Sequence, residues 1–476
     1  MPLSPHNFVN VPASSTSYTA LDFYEEPFTL DLHHGDGYPK INIGDYFGAN
    51  NRFEILRKLG WGRYATTWLV KDHEKDQPMA MKILTTFGTH LERGEVKDPG
   101  RPHLHEADIM RSISRPTSSL GAQYCLHLID SFYVTRDTGK HLCLLTEVAG
   151  LSLDELQSMV ATDSGFPSQL AKLFVKQICL ALDYLHRECR VVHNDVKSSN
   201  LLLTFEPHIT EELVSLHLQH RPVQTYPMRI VNGISEETLM SQPLPLPGFE
   251  DVNPLKWVIK LADFGSGTVF VYACSLAEVT DRSHPLVAQW LDSRSTDHMQ
   301  AVQLRAPEII LGRDWNEKVD IWSLGCLTFE LLTGKNLFRA TATNKWSEEE
   351  DVLAAHLETH QLTRFPSHFY SESKHASQYL NEDGTLRNIA EDIIYPKTLD
   401  HILSVYKVPI NLDDPQSERD LAVSFIERCI TLHVGDRATA AELLQHPWLQ
   451  EMGGNHEGEQ SFKRIHLGGE VMAVHE

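Results

Sequence analysis

No cysteine in this chain belongs to a CxxC pair. The seven present (Cys125, Cys143, Cys179, Cys189, Cys274, Cys326 and Cys429) are odd in number and scattered. That pattern excludes a disulfide framework and a zinc-ribbon site, and suits reduced core thiols of an intracellular protein. Also missing is any run of about 18 apolar residues, which excludes a membrane-spanning helix. The first thirty residues hold no basic patch followed by an apolar stretch, so no secretory leader is expected. Basic residues are in deficit, 42 against 64 acidic, for a net charge of −22. Nucleic acid and anionic membrane are therefore poor partners, and a basic one fits better. No basic cluster marks nuclear import, which leaves both cytoplasmic and nuclear residence open.

What is present is ordinary globular composition, 41% hydrophobic and 22% charged. At 476 residues the chain suits one large two-lobed domain or two to three smaller ones. Residues 1–38 are rich in Ser, Pro, Thr and acids and read as an extension. From Phe53 to Leu84 the short runs FEILRKL, TTWLV and MAMKIL, parted by Gly-Trp-Gly and KDHEKDQP, predict an antiparallel meander. Further on, Leu173, Phe174, Ile178, Leu182 and Leu185 recur at helical spacing, and VDIWSLGCLTFELL from Val319 is apolar nearly all round. The first predicts an amphipathic helix and the second a helix buried on every side. Residues 204–255, with the Pro-rich QPLPLPGFEDVNP, read as a solvated, extended loop, and residues from about 451 as a tail.

Several residue sets carry chemistry. Gly60-Trp61-Gly62-Arg63-Tyr64-Ala65 lies between two strand runs, where glycine tolerates positive φ and its missing Cβ lets backbone N–H groups approach a phosphate. Taken by itself this is equally an ordinary hairpin turn. Lys82 ends the strand MAMK, and Glu106 sits on a predicted helix with Leu104, Ile109 and Ile113 on its apolar side; a lysine held by a carboxylate can clamp phosphates. In VVHNDVKSSNLLL, from Val191, Asp195 can orient a hydroxyl and accept its proton, Lys197 can neutralise a transferring phosphoryl group, and Asn200 can ligate magnesium; Asp263 of Asp263-Phe264-Gly265 supplies a second metal ligand. Any one of these could be a plain loop residue in an Asx turn. The ordered set HxDxKxxN, DFG and Ala306-Pro307-Glu308 is not explained that way.

On these motifs the sequence resembles the eukaryotic protein kinases over about residues 40–450. The resemblance implies an α+β bilobal fold: an N-lobe at 39–148 with a five-stranded antiparallel sheet and one helix, then a mostly helical C-lobe at 149–450 carrying the insert 204–255, with a tail at 451–476. It implies that Leu59, Gly60, Trp61, Gly62, Arg63, Tyr64, Ala65 and Thr67 cover ATP, and that Ala80 and Leu202 sandwich the adenine. Lys82 binds phosphates and pairs with Glu106, Glu147-Val148 forms the hinge behind Thr146, and Glu308 pairs with Arg437. Catalysis then falls to Asp195, Lys197, Lys82 and Glu106, with Mg2+ on Asn200 and Asp263. Within the family the stretches IGDYFGANNRFEILRKLGWGRYATTWLVKD, WSEEEDVLAAHLE and YLNEDGTLRNI resemble the SR-protein kinases. This implies basic Arg/Ser-rich protein substrates, no direct nucleic-acid or membrane partner, a monomer, and a substrate-docking role for Glu348, Glu349, Glu350 and Asp351. The bland reading of those acids is a helix N-terminus favoured by the dipole.

Three positions depart from the family pattern. Ala65 replaces the third glycine, Asn194 replaces the arginine of HRD, and Ala301 stands where a threonine usually bridges the catalytic aspartate and lysine. Missing that arginine, the enzyme is expected to be active without activation-loop phosphorylation. The same three positions are what a pseudokinase, a binding module that has lost transfer, would show. The segment from Tyr272 to Asp297 gives no basis for carrying over a peptide pocket.

Overall fold

A computed structural model describes residues 25–28, 36–95, 105–160, 165–231, 234–246, 253–266, 268–269, 300–371, 373–406 and 415–450. The chain divides into two compact units. The first comprises residues 1–114, 126–151 and 204–251, and the second 115–125, 152–203 and 252–476.

In the first unit the meander closes into a six-stranded antiparallel sheet of order β1-β2-β3-β4-β6-β5. Its strands are β1 (Tyr46–Phe47), β2 (Phe53–Gly62), β3 (Ala65–Asp72), β4 (Gln77–Leu84), β5 (Leu128–Arg136) and β6 (Gly139–Thr146). The sheet has one strand more than expected, because Tyr46 and Phe47 pair with Glu54 and Phe53 at the edge. Period-two alternation sorts the faces. Phe53, Ile55, Trp68, Val70, Met79, Met81, Ile83, Cys143 and Leu145 share one core, which leaves Ala80 and Lys82 on the opposite face of β4.

Among the described residues two α-helices, where one was expected, lie between β4 and β5. Helix α1 (Thr86–Glu92) follows β4 directly, with Thr85 Oγ1 accepting the Gly88 N–H as its cap. Helix α2 (Glu106–Ile113) buries Ala107, Ile109, Met110 and Ile113; Leu104 lies outside the described residues.

The insert is not a solvated loop. Residues Pro207–His220 form a helix that buries Leu213, Val214 and His217. Val214 joins Leu244, Leu69 and Val148 in an apolar cluster, with Leu56, Leu59 and Leu218 against it. The insert therefore belongs to the first unit. Its Pro-rich composition misled because Leu244 inside QPLPLP is a packing residue, 3% exposed.

The second unit is helical. Lys318–Thr333 is buried from Val319 to Phe329 and ends on Gly334 at φ 71°, the left-handed stop that glycine permits. Ser168–Asp183 and Pro415–Cys429 pack beside it. Five of the six described cysteines are buried and all are unpaired; Cys274 lies outside the described residues.

Candidate active site

The glycine turn joins β2 to β3, with Gly60 opposite Thr67, Trp61 opposite Thr66 and Gly62 opposite Ala65. Neither Gly60 nor Gly62 has positive φ, so conformational freedom is not why glycine stands there. A Cβ at either position would meet nothing within 4 Å. The glycines leave bare backbone beside open space, which is what a close approach by phosphate needs. The turn is braced from behind: the Tyr38 hydroxyl donates to the carbonyls of Gly62 (2.8 Å) and Arg63 (2.6 Å). The Tyr38 ring meets Trp61 edge-on, and the Arg63 guanidinium lies over the Tyr64 ring at 5.0 Å.

On β4, Lys82 donates to both carboxylate oxygens of Glu106, at 2.7 and 2.8 Å. The Glu106 side chain is 5% exposed and that of Lys82 28%. This is a bidentate, charge-assisted pair whose lysine still reaches solvent. Ala80 stands opposite Thr146, the last residue of β6, whose hydroxyl donates to the Glu147 carbonyl. Leu59 and Val148, assigned to nucleotide binding by resemblance, share the apolar cluster with the insert's Val214 and Leu244, a contact the sequence did not announce.

In the second unit, strand Val191–Val192 delivers the chain into the loop 193–200. Three side chains converge there. Lys197 Nζ donates to Asp195 Oδ2 at 2.8 Å, and Asn200 Nδ2 donates to the same oxygen at 3.0 Å and to the Asp195 carbonyl at 2.9 Å. Two donors on one oxygen fix the carboxylate's rotation. His193 is structural: Nε2 bonds the Ala262 carbonyl at 2.9 Å, Nδ1 accepts the Asp195 N–H, and its ring lies edge-on to Phe264. The Ala262 N–H donates to the Asn200 carbonyl at 2.9 Å, which ties the backbone before Asp263 to Asn200. Leu202 bridges to Ser152.

Asn194 and Asp263 have φ of 66° and 60°, the left-handed region that costs most residues energy and Asn and Asp least. That gives a local reason for asparagine at position 194. A residue the sequence reading passed over anchors this strained turn. Asp320 accepts the backbone N–H groups of His193 and Asn194, both at 2.8 Å, and bonds His186 Nε2 at 2.9 Å. A signal existed, since an acid in a helix apolar on all sides is buried and must be paired.

Glu308 and Arg437 do pair, at 2.6 and 3.0 Å, both nearly inaccessible. Arg437 also donates to the carbonyls of Thr431 and Lys318 and stacks over Trp322.

The four acids expected at a docking surface separate. Glu350 is 4% exposed; it closes a capping box with Ser347 and accepts from Asn388 at 2.8 Å. The geometry removes it from the set, because helix capping uses its carboxylate. Glu349 faces Arg305 at 3.4 Å, Asp351 accepts the Thr341 N–H, and Glu348 is exposed. Ala301 opens a short 3-10 turn, Val302–Leu304. The segment Tyr272 to Asp297 and the tail 451–476 lie outside the described residues.

The protein kinase domain family model matches residues 53–216 and 249–449. A "Serine/threonine-protein kinase SRPK" of Physarum polycephalum is 28% identical over 90% of this chain and 92% of its own length. Human "SRSF protein kinase 3" is 23% identical over 87% of this chain and 88% of its own. A crystal structure of a kinase domain superposes with a TM-score of 0.55 at 22% identity, over 87% of this chain and 98% of that one, a likeness of fold.

Proposed function

The chain belongs to the protein kinase family and is a protein serine/threonine kinase, and from that premise we propose how its residues divide the chemistry and which substrates it takes. Asp195 is the general base. It accepts the proton of a Ser or Thr hydroxyl as the oxygen bonds to the γ-phosphorus of ATP and the bond to the β-phosphate oxygen breaks, releasing ADP. Lys197, held against Asp195, stabilises the charge on the phosphoryl group in flight. Lys82, oriented by Glu106, binds the α- and β-phosphates, and the bare backbone of Gly60 and Gly62 covers them. Leu59, Thr67, Ala80, Leu202 and the Thr146 to Val148 segment hold the adenine. Asn200 and Asp263 offer the oxygen donors magnesium takes, and the ion, when bound, neutralises phosphate charge. The observation that carries this reading is the convergence of Lys197 and Asn200 on one oxygen of Asp195, an arrangement suited to a positioned base.

The substrates are basic, arginine- and serine-rich protein segments, met by one copy of the enzyme. The names of the relatives point that way, and so does the net charge of −22, which steers basic partners inward. Glu348, Glu349 and Asp351 are the docking acids. Among the described residues no helix is long and apolar enough to cross a membrane. The test compares an Arg-Ser repeat peptide with neutral and acidic Ser peptides at low and high salt. The Arg-Ser peptide is preferred, and salt erodes the preference; equal rates on all three, whatever the salt, reject the substrate assignment.

A further inference from the structure

Nothing in the known motifs explains Glu92, the last residue of α1. Its carboxylate reaches out of that helix to the start of another. Oε2 accepts the backbone N–H of Glu106 at 3.1 Å, and Oε1 accepts that of Ala107 at 2.7 Å. These are first-turn amides of α2, which have no partner inside their own helix. The residue just before α2, His105, makes no side-chain bond to that turn. The cap comes instead from a side chain fourteen positions earlier in the chain.

The platform that carries Glu92 is fixed. Leu91 is fully buried, and Thr89 Oγ1 accepts the Leu142 N–H from β6. At the other end of α1, the Thr85 N–H donates to the Tyr64 carbonyl of the glycine turn at 2.8 Å, and the Phe87 and Tyr64 rings touch. Gly88 is required there, because a Cβ would stand 2.9 Å from the Tyr64 oxygen. The Thr86 and Phe87 N–H groups donate to the carbonyls of Gly37 and Asp36. Thus α1 leans on the glycine turn at its start and holds α2 at its end.

We infer that Glu92 is a positioning residue for phosphate binding: by capping α2 from a rigid neighbour it sets where Glu106, and through Glu106 the Lys82 ammonium, stand. The inference rests on the roles given above to Lys82 and Glu106. Electrostatics set a cost against the stability that the cap contributes. Burial pushes its pKa up to about 8, against the lowering effect of the Ala107 N–H, and the nearby Glu106 and Asp108 charges push the same way. An acid whose folded-state pKa is raised loses stability as pH climbs from its ordinary value toward the raised one. At neutral pH the placement therefore costs stability.

That makes activity and stability separable. In the full chain, Glu92→Gln keeps one acceptor oxygen and cannot ionise, while Glu92→Ala removes the cap. We expect Glu92→Ala to lower kcat/KM for ATP roughly 5- to 30-fold, the effect of losing a helix cap. Glu92→Gln falls between it and the wild type, with a melting temperature at or above the wild-type value. Amide hydrogen exchange at Glu106 and Ala107 reads the cap without reference to activity, and it quickens in Glu92→Ala. Wild-type kinetics in Glu92→Ala, or an activity loss that follows a drop in melting temperature in both variants, overturns the inference. Glu106→Gln separates the two claims. If it is fully active, the role given to Glu106 fails; if it is inactive while Glu92→Ala is not, only the role of Glu92 fails.

Discussion

Asp320 Oδ1 lies 2.8 Å from the backbone nitrogen of Asn194, and the second oxygen holds the nitrogen of His193 at the same distance. The turn that presents Asp195 is thus held by a buried carboxylate more than a hundred positions further along the chain. Replacing Asp320 by Asn substitutes an N–H donor for one acceptor and sets it against a backbone donor. A hydrogen bond to a charged group contributes about 1.5–3 kcal/mol, so we expect a loss of about 2–4 kcal/mol in denaturant unfolding. Phosphotransfer should fall with it, since the base loses its orientation.

The same arrangement makes an arginine at position 194 unnecessary for shaping the loop. Recombinant enzyme treated with a broad-specificity phosphatase should keep its activity within about twofold, because no arginine stands in the HxD motif to pair with a phosphorylated activation loop. Abolished activity after treatment, restored by rephosphorylation, is the contrary result.

Asp195→Ala removes the atom on which Lys197 and Asn200 converge. A positioned general base contributes on the order of 10²–10⁴ in rate, and we expect kcat to fall by that range with ATP affinity little changed. Nucleotide-binding calorimetry beside a radiolabel transfer assay separates the two quantities. Retention of the wild-type rate would reject the assigned role and bring back the pseudokinase reading.

Arg437→Ala leaves Glu308 as an uncompensated charge at 1% exposure, and breaking such a pair costs about 3–5 kcal/mol. Reduced soluble yield and a lower unfolding midpoint are expected, with most of the loss recovered in Glu308→Leu/Arg437→Met, which removes both charges. A double variant no better than the single one would mean that the bonds from Arg437 to Thr431 and Lys318, not the ion pair, dominate.

Legibility in the sequence followed how local each cause is. Lys82 and Asp195 could be read because strand alternation and a short loop motif fix them within a few residues of their neighbours. The pair Glu308 and Arg437 was legible only through resemblance, since its members are 129 positions apart. Glu92 acts through backbone amides, which any residue type supplies, and leaves no motif; for Asp320 the sequence shows that a buried acid needs partners but not that they are the amides of His193 and Asn194. The insert was misread for a related reason: Val214 and Leu244 become core only against Leu69 and Val148, a surface that exists after the sheet has folded. Among the docking acids, the resemblance gave four equal candidates, and the capping box took Glu350.

The insert's attachment is also open to a pH test. His217, on the buried side of the insert helix, is 1% exposed. Burial lowers its pKa to about 4, and the Arg57 and Arg221 cations add to the effect. The folded state thus keeps the ring neutral, while the unfolded chain takes up a proton near the ordinary value of 6.5. Below 6.5 the unfolded state binds more protons, so this contribution to stability is complete above 6.5 and is lost as pH falls toward 4. Carboxylates also titrate in that window, so the useful quantity is the difference between wild type and His217→Leu, which cannot protonate there. In thermal melts from pH 7.5 to 4.5 the wild type should lose more melting temperature than His217→Leu. Proteolytic nicking within the insert should rise in the wild type over the same range, and parallel melting curves for the two proteins would show that His217 does not govern this attachment.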